Sequence, residues 1–198
     1  MTPEIGRALL STIDALEALR VRYAIVGGLA VGAWGVNRST KDADLYADLP
    51  EAVRPLLKRA LEAQGFRVPA MEEELERFGV FRSRSGGGIF VDIFSATGPL
   101  GEAILDRRKS IDLAGRSLWF IAPEDLAILK AFSERPRDFE DLVNLSAVVG
   151  LKLDVAYIRR WARQLDDSIG GNDVSERVEK ALAQLKKKPR QGKRKPRR

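Results

Sequence analysis

Asp42 and Asp44 stand one residue apart, downstream of a glycine pair, in Tyr-Ala-Ile-Val-Gly-Gly-Leu-Ala-Val-Gly-Ala-Trp-Gly-Val-Asn-Arg-Ser-Thr-Lys-Asp-Ala-Asp-Leu-Tyr. On a strand, carboxylates at that spacing point to one face and can share a cation. Magnesium takes hard oxygen ligands, usually one or two carboxylates completed by substrate phosphates. Tyr23 to Val26 reads as a short apolar strand, and Gly27-Gly28 lets the backbone turn sharply and approach a phosphate without a side chain intervening. A helix over Leu29 to Gly35 would offer free N–H groups to that anion. Asp-x-Asp alone is common on exposed strands, and Gly-Gly alone marks ordinary turns. The ordered set of strand, glycine pair, helix and acid pair points to metal-assisted phosphate chemistry.

Other residues could join such a site. Asp92 interrupts the apolar run Ile89 to Phe94. A charge there is costly unless it is paired or binds metal, the alternative being a strand end that faces water. Arg38 precedes the acid pair in a loop and reads either as a phosphate contact or as an exposed loop arginine. Further on, Pro123-Glu124 suits a first helical turn, with Leu126, Ile128, Leu129 and Phe132 as its apolar face. Lys130 projects from that helix, and Asp138 and Asp141 follow in the next. Two readings stand: Lys130 snorkels to solvent while the acids cap a helix, or Lys130 meets an anion with Asp138 orienting it.

Composition narrows the chemistry. The chain has 198 residues and no cysteine or histidine, so thiolate and imidazole ligands, disulfides and Ser-His or Cys-His catalysis are excluded and carboxylates remain as ligands. Its 44% hydrophobic content supports one core, hence one catalytic domain with a helical extension. Nine basic residues lie between Lys186 and Arg198, which turns a body of net charge −3 into a chain of +6. That run, with Pro189, Gly192 and Pro196, is expected to be disordered, and it serves either nucleic-acid contact or solubility. The start lacks a secretory pattern and no apolar run approaches the roughly 20 residues of a span, so a cytoplasmic protein without membrane partners is expected. Trp34, Trp119 and Trp161 each sit in an apolar pattern that favours core packing.

Gly27-Gly28 followed by Arg38-Ser39-Thr40-Lys41-Asp42-Ala43-Asp44-Leu45 resembles the signature of the polymerase-beta-like nucleotidyltransferase superfamily. The Arg-x-Thr-x-Asp-x-Asp-Leu form is most similar to the AbiEii and MenT toxins of type IV toxin–antitoxin systems. Gly28 stands where many members carry Ser, so Ser39 or Thr40 would have to supply that hydroxyl. The resemblance implies a nucleoside triphosphate substrate and Mg2+, with room for two ions held by Asp42, Asp44 and Asp92. It implies nucleotide contacts from Gly27, Gly28, Arg38, Ser39, Thr40 and Lys130, and it matches Lys130 and Asp138 to a catalytic Lys and Asp of the toxin relatives. Its acceptor would be an RNA hydroxyl, tRNA first, with a protein side chain or a small molecule such as an aminoglycoside in other branches. A toxin would bring a cognate antitoxin partner. A non-catalytic RNA- or partner-binding module of the same fold is the competing expectation. A kinase-like phosphotransferase is weaker, because no Gly-x-x-x-x-Gly-Lys-Ser/Thr loop occurs.

The remaining pattern must position these residues. Helices are expected over Ile5 to Leu19, Val53 to Gln64, from Pro123, and over Pro136 to Val149, Asp154 to Leu165 and Val174 to Leu185. Strands are expected at Ala43 to Ala47, Phe66 to Pro69, Phe78 to Arg82 and Gly88 to Phe94, with a hairpin of Arg107 to Leu113 and Arg116 to Ile121 around Ala114-Gly115. The fold class is therefore α/β (α+β): a nucleotidyltransferase-fold mixed sheet flanked by helices, with a helical C-terminal part. The expected divisions are a catalytic core over 1–122, a helical part over 123–185 and a disordered basic tail over 186–198.

Overall fold

The computed structural model describes residues 1–113, 115–149 and 153–187. The basic tail beyond 187 and Ala114 of the hairpin turn lie outside the described residues. Strands β1 (Tyr23–Ile25), β2 (Ala43–Ala47), β3 (Val80–Arg84), β4 (Phe90–Ser95), β5 (Lys109–Leu113) and β6 (Arg116–Phe120) form one sheet in the order β3-β4-β2-β1-β6-β5. β2 runs antiparallel to β1 and parallel to β4, while β1 runs parallel to β6, so the sheet is mixed. This is the α/β arrangement expected from the sequence. The chain divides into two compact units, the first from Met1 to Leu126 and the second beginning at Ala127.

In the first unit, α1 (Pro3–Ala18) is capped by Thr2, whose hydroxyl accepts the Ile5 N–H. It buries Ile5, Leu9, Ile13 and Leu16, a helical period that supplies one side of the core. α2 (Gly27–Ala33) is short and starts two residues earlier than expected, so both glycines lie inside its first turn. α3 (Arg54–Ala63) ends before Gly65, as its sequence indicates. α4 (Met71–Phe78) and α5 (Gly98–Arg107) are additions to the sequence reading. The segment Phe66 to Pro69, expected as a strand, contributes only an isolated bridge from Arg67 to Arg84. Pro69 lacks the N–H that a longer ladder would need. Trp119 departs from the expected core placement: it is 38% exposed under the Arg108 guanidinium, because its neighbours Leu118 and Phe120 take the buried side of β6.

In the second unit, α7 (Pro136–Val149) and α8 (Val155–Ile169) pack against α9 (Asp173–Lys187), while α6 (Pro123–Phe132) leads into it from the first unit. α8 stops at Gly170, which takes the left-handed conformation (φ 73°). Buried Asp166 then accepts the Val174 and Ser175 N–H groups at 2.9 and 3.0 Å, so a side chain of α8 caps α9. Among the described residues no helix is long and apolar enough to cross a membrane. Asp166→Ala leaves two helix-end donors without their acceptor and is expected to cost about 1–2 kcal/mol. A denaturant midpoint equal to that of the wild type would contradict this.

Candidate active site

Asp44 is the second residue of β2 and pairs in register with Asp92 on parallel β4. Parallel register puts both side chains on one face of the sheet, so residues far apart in the chain become lateral neighbours. Along β2 the alternation is sharp: Ala43, Leu45 and Ala47 are fully buried, whereas Asp44 and Tyr46 are partly exposed. Asp42 lies one residue before the strand rather than within it, yet it continues the alternation as a half-buried position. Thr40 fixes it, its hydroxyl donating to Asp42 Oδ1 at 2.7 Å and to the Asp42 carbonyl at 3.1 Å.

The glycine pair closes tightly on these acids. Gly27 has φ +60°, and a methyl group placed on its Cα would lie 1.9 Å from Asp44 Oδ2. Only glycine permits both the backbone conformation and that approach. At Gly28 the corresponding methyl would come 3.0 Å from Thr40 Cβ and 3.5 Å from Arg38 Nε, so the 38–40 loop rests on the second glycine. Arg38 and Thr40 are half-buried and Ser39 is exposed. A cleft of about 710 Å³ opens beside Gly28 and Thr40, with Leu9 and Phe120 among its apolar walls.

Sequence reading missed Arg82. On β3, paired in register with Asp92, it grips that carboxylate through Nε and Nη2, both at 2.7 Å. These hydrogen bonds, against an opposing effect of partial burial, raise the Arg82 pKa further, and Asp92, Asp42 and Asp44 add their fields. One guanidinium thus senses all three acids. The visible signal was the alternation Phe81-Arg82-Ser83-Arg84 before a Gly86-Gly87-Gly88 turn, which pairs Arg82 with Asp92 if read as a hairpin.

The donor set fits a magnesium ion in kind: hard carboxylate oxygens beside a glycine that opens space for phosphates. Asp42 and Asp44 are the residues that would hold it, with Asp92 joining once its oxygens leave Arg82. Among the described residues no three His, Cys, Asp or Glu side chains gather closely enough to hold a metal ion. Asp42, Asp44 and Asp92 therefore do not form the three-acid cluster expected from the sequence, and both Asp92 oxygens are engaged by Arg82.

The second cluster belongs to the second unit. Lys130 is 6% exposed, which overturns the snorkelling alternative. It pairs with Asp138 and, at 3.1 Å, with Asp141, both buried. Asp138 also accepts from Ser133 and Arg135 at 2.6 Å. Burial would raise the Asp138 pKa, but hydrogen bonds from Lys130 and Ser133 outweigh it and hold the group below the ordinary aspartate value. Two acids share the buried ammonium, with Arg135 as the second cation on Asp138, and the set ties α6 to α7.

Architecturally, the molecule has the fold of nucleotidyltransferases. It is similar to an antigenic nucleotidyltransferase-like protein from Paracoccidioides brasiliensis (18% identity, 91% of this chain and 87% of that one, TM-score 0.51). It is likewise similar to the lincosamide antibiotic adenylyltransferase LnuA in its lincomycin-bound form (17%, 72% and 96%, TM-score 0.53). A third similar structure is ANT(2")-Ia in complex with adenylyl-2"-tobramycin (19%, 94% and 98%, TM-score 0.53). No curated protein matches the sequence. Residues 7–187 match the family described as nucleotidyltransferase of unknown function (DUF6036), and the chain belongs to that family.

Gly27→Ala is expected to displace the Asp44 carboxylate and abolish any stabilisation by divalent cation plus nucleotide in thermal melts, while the fold survives; retained stabilisation would refute the close-packing argument. Asp138 makes a separate expectation about acid. Because its folded pKa is depressed, its stabilising contribution is present above about pH 4 and is lost as pH falls through the folded value. Asp138→Asn should therefore show a shallower fall in stability between neutral and strongly acidic pH than the wild type, and parallel profiles would contradict the sign.

Proposed function

We propose that this chain is a magnesium-dependent nucleotidyltransferase that moves a nucleoside monophosphate from a triphosphate to an acceptor hydroxyl. The observation that carries this reading is the register of Asp44 beside Asp92 next to Gly27, with Asp42 held by Thr40 on the same side. Asp42 and Asp44 hold the cation against the triphosphate. Gly27 and Gly28 leave the phosphates room to reach it, and Arg38, Ser39 and Thr40 border them on the cleft side. In the reaction the acceptor oxygen bonds to the α-phosphorus, the bond to the β-phosphate oxygen breaks, pyrophosphate leaves, and Asp92 takes the hydroxyl proton. A bound divalent cation supplies charge neutralisation on the phosphates and makes the attacking hydroxyl more acidic.

Lys130 and Asp138, matched to a catalytic pair by the likeness to the toxin branch, are read as a positioning pair within the second unit, where Asp138 and Asp141 hold the Lys130 charge. The finer reading makes the acceptor an RNA end, tRNA included, in a toxin with a cognate antitoxin. It is supported by the likeness of the Arg38 to Leu45 run to the AbiEii and MenT branch. A small-molecule hydroxyl is the second reading, favoured by the antibiotic adenylyltransferases that share the fold.

Magnesium with the preferred triphosphate is expected to raise the melting temperature, by an amount equivalent to about 2.7 kcal/mol at a hundred times Kd. Asp44→Asn should remove that rise, and with it label transfer from triphosphate to total tRNA or to small-molecule extracts. A wild-type melt indifferent to metal and nucleotide would sink the reading.

A further inference from the structure

We infer that the β3–β4 hairpin carries a platform for a single-stranded nucleic-acid acceptor, built from Phe90, Arg84 and Arg67 and ending at the carboxylates. The inference rests on the transferase reading, whose acceptor class it specifies. Phe90 begins β4 and is 42% exposed, on the same face of the strand as Asp92. Two guanidiniums lie over it, with Arg82 Cζ at 5.2 Å and Arg84 Cζ at 5.6 Å from its centroid. Arg84 is its register partner across the hairpin. Arg67 extends the row at the sheet edge through its bridge to Arg84, with reciprocal backbone bonds of 2.9 and 3.0 Å. Arg67 is exposed between buried Phe66 and Val68, and Arg84 is exposed beside fully buried Ser83. The alternation leaves both arginines on the outward side.

Two residues along each strand lies the row Arg82–Asp92–Asp44. The platform is thus one side-chain step from the acids, on the flank away from Gly27, which abuts Asp44. With the triphosphate at the glycine side, the acceptor has the hairpin side. The chemistry there joins flat guanidiniums and a ring, which stack bases, with the charges of Arg67 and Arg84 for phosphates, Arg82 being held by Asp92 and Glu74 accepting its backbone N–H. A polycationic acceptor would meet repulsion at Arg67 and Arg84. A single strand, whose unpaired bases present both ring faces and phosphates, matches both features.

The test is fluorescence anisotropy of a labelled single-stranded oligoadenylate with the full chain, heparin serving as a polyanion without bases. Phe90→Ala should weaken oligoadenylate binding by about five- to a hundredfold and leave heparin binding unchanged, and Phe90→Tyr should retain binding. Arg84→Ala should lower the slope of log affinity against log salt by about 0.7. Wild-type affinity for oligoadenylate in both alanine variants would overturn the platform, as would an equal loss for heparin, which charge alone explains. Magnesium–triphosphate melts of the wild type report the transferase reading independently: if they show no stabilisation while Phe90→Ala still loses oligoadenylate, the transferase reading falls and the platform stands.

Discussion

Two carboxylates fixed side by side on neighbouring strands repel, and the parallel register of β2 and β4 leaves Asp44 and Asp92 no freedom to separate. The fold answers with a third strand. β3 brings Arg82 to the same row, where its two nitrogens hold both Asp92 oxygens and its charge offsets the cluster. The row then reads acid, acid, cation across three strands. Any divalent ion that takes Asp92 must displace a bidentate guanidinium, so the Asp92 end is the adjustable part of the site. The Asp44 end, pressed against Gly27, is the rigid part.

Rigidity at that end is built from residues without side chains or with small ones. Gly27 in the left-handed region, Gly28 under Thr40, and the Thr40–Asp42 hydrogen bond tie the 38–42 loop to the start of α2. The second unit uses the opposite device. Lys130, Asp138 and Asp141 are buried together, where removal of Lys130 would leave two buried carboxylates without the ammonium they share. Such a set fixes helix against helix whether or not it also meets a ligand.

Much of this was readable in the chain because it is local. The β1–glycine–α2 turn, the bounds of β2 and the order of the later helices follow from short-range pattern and turn chemistry. The lone acid in the Ile89 to Phe94 run was visible too, but its neighbours were not, since strand pairing over some fifty residues is set by register in three dimensions. Arg82 hid for the same reason. α4 was missed because Glu72, Glu73, Glu74 and Glu76 leave only Met71 and Leu75 as buried positions, too few to display a period. α5 carries Pro99 in its first turn after Thr97, a start signal masked by its two glycines.

Behind the acid row lies a hydrocarbon one. Tyr46 stacks on Phe94 with centroids 5.7 Å apart and planes at 11°, and Val80 completes that line across the hairpin. The acids therefore stand between a ring-lined row on one flank and exposed arginines on the other. Burial raises the Tyr46 pKa, which marks the ring flank as the less hydrated of the two.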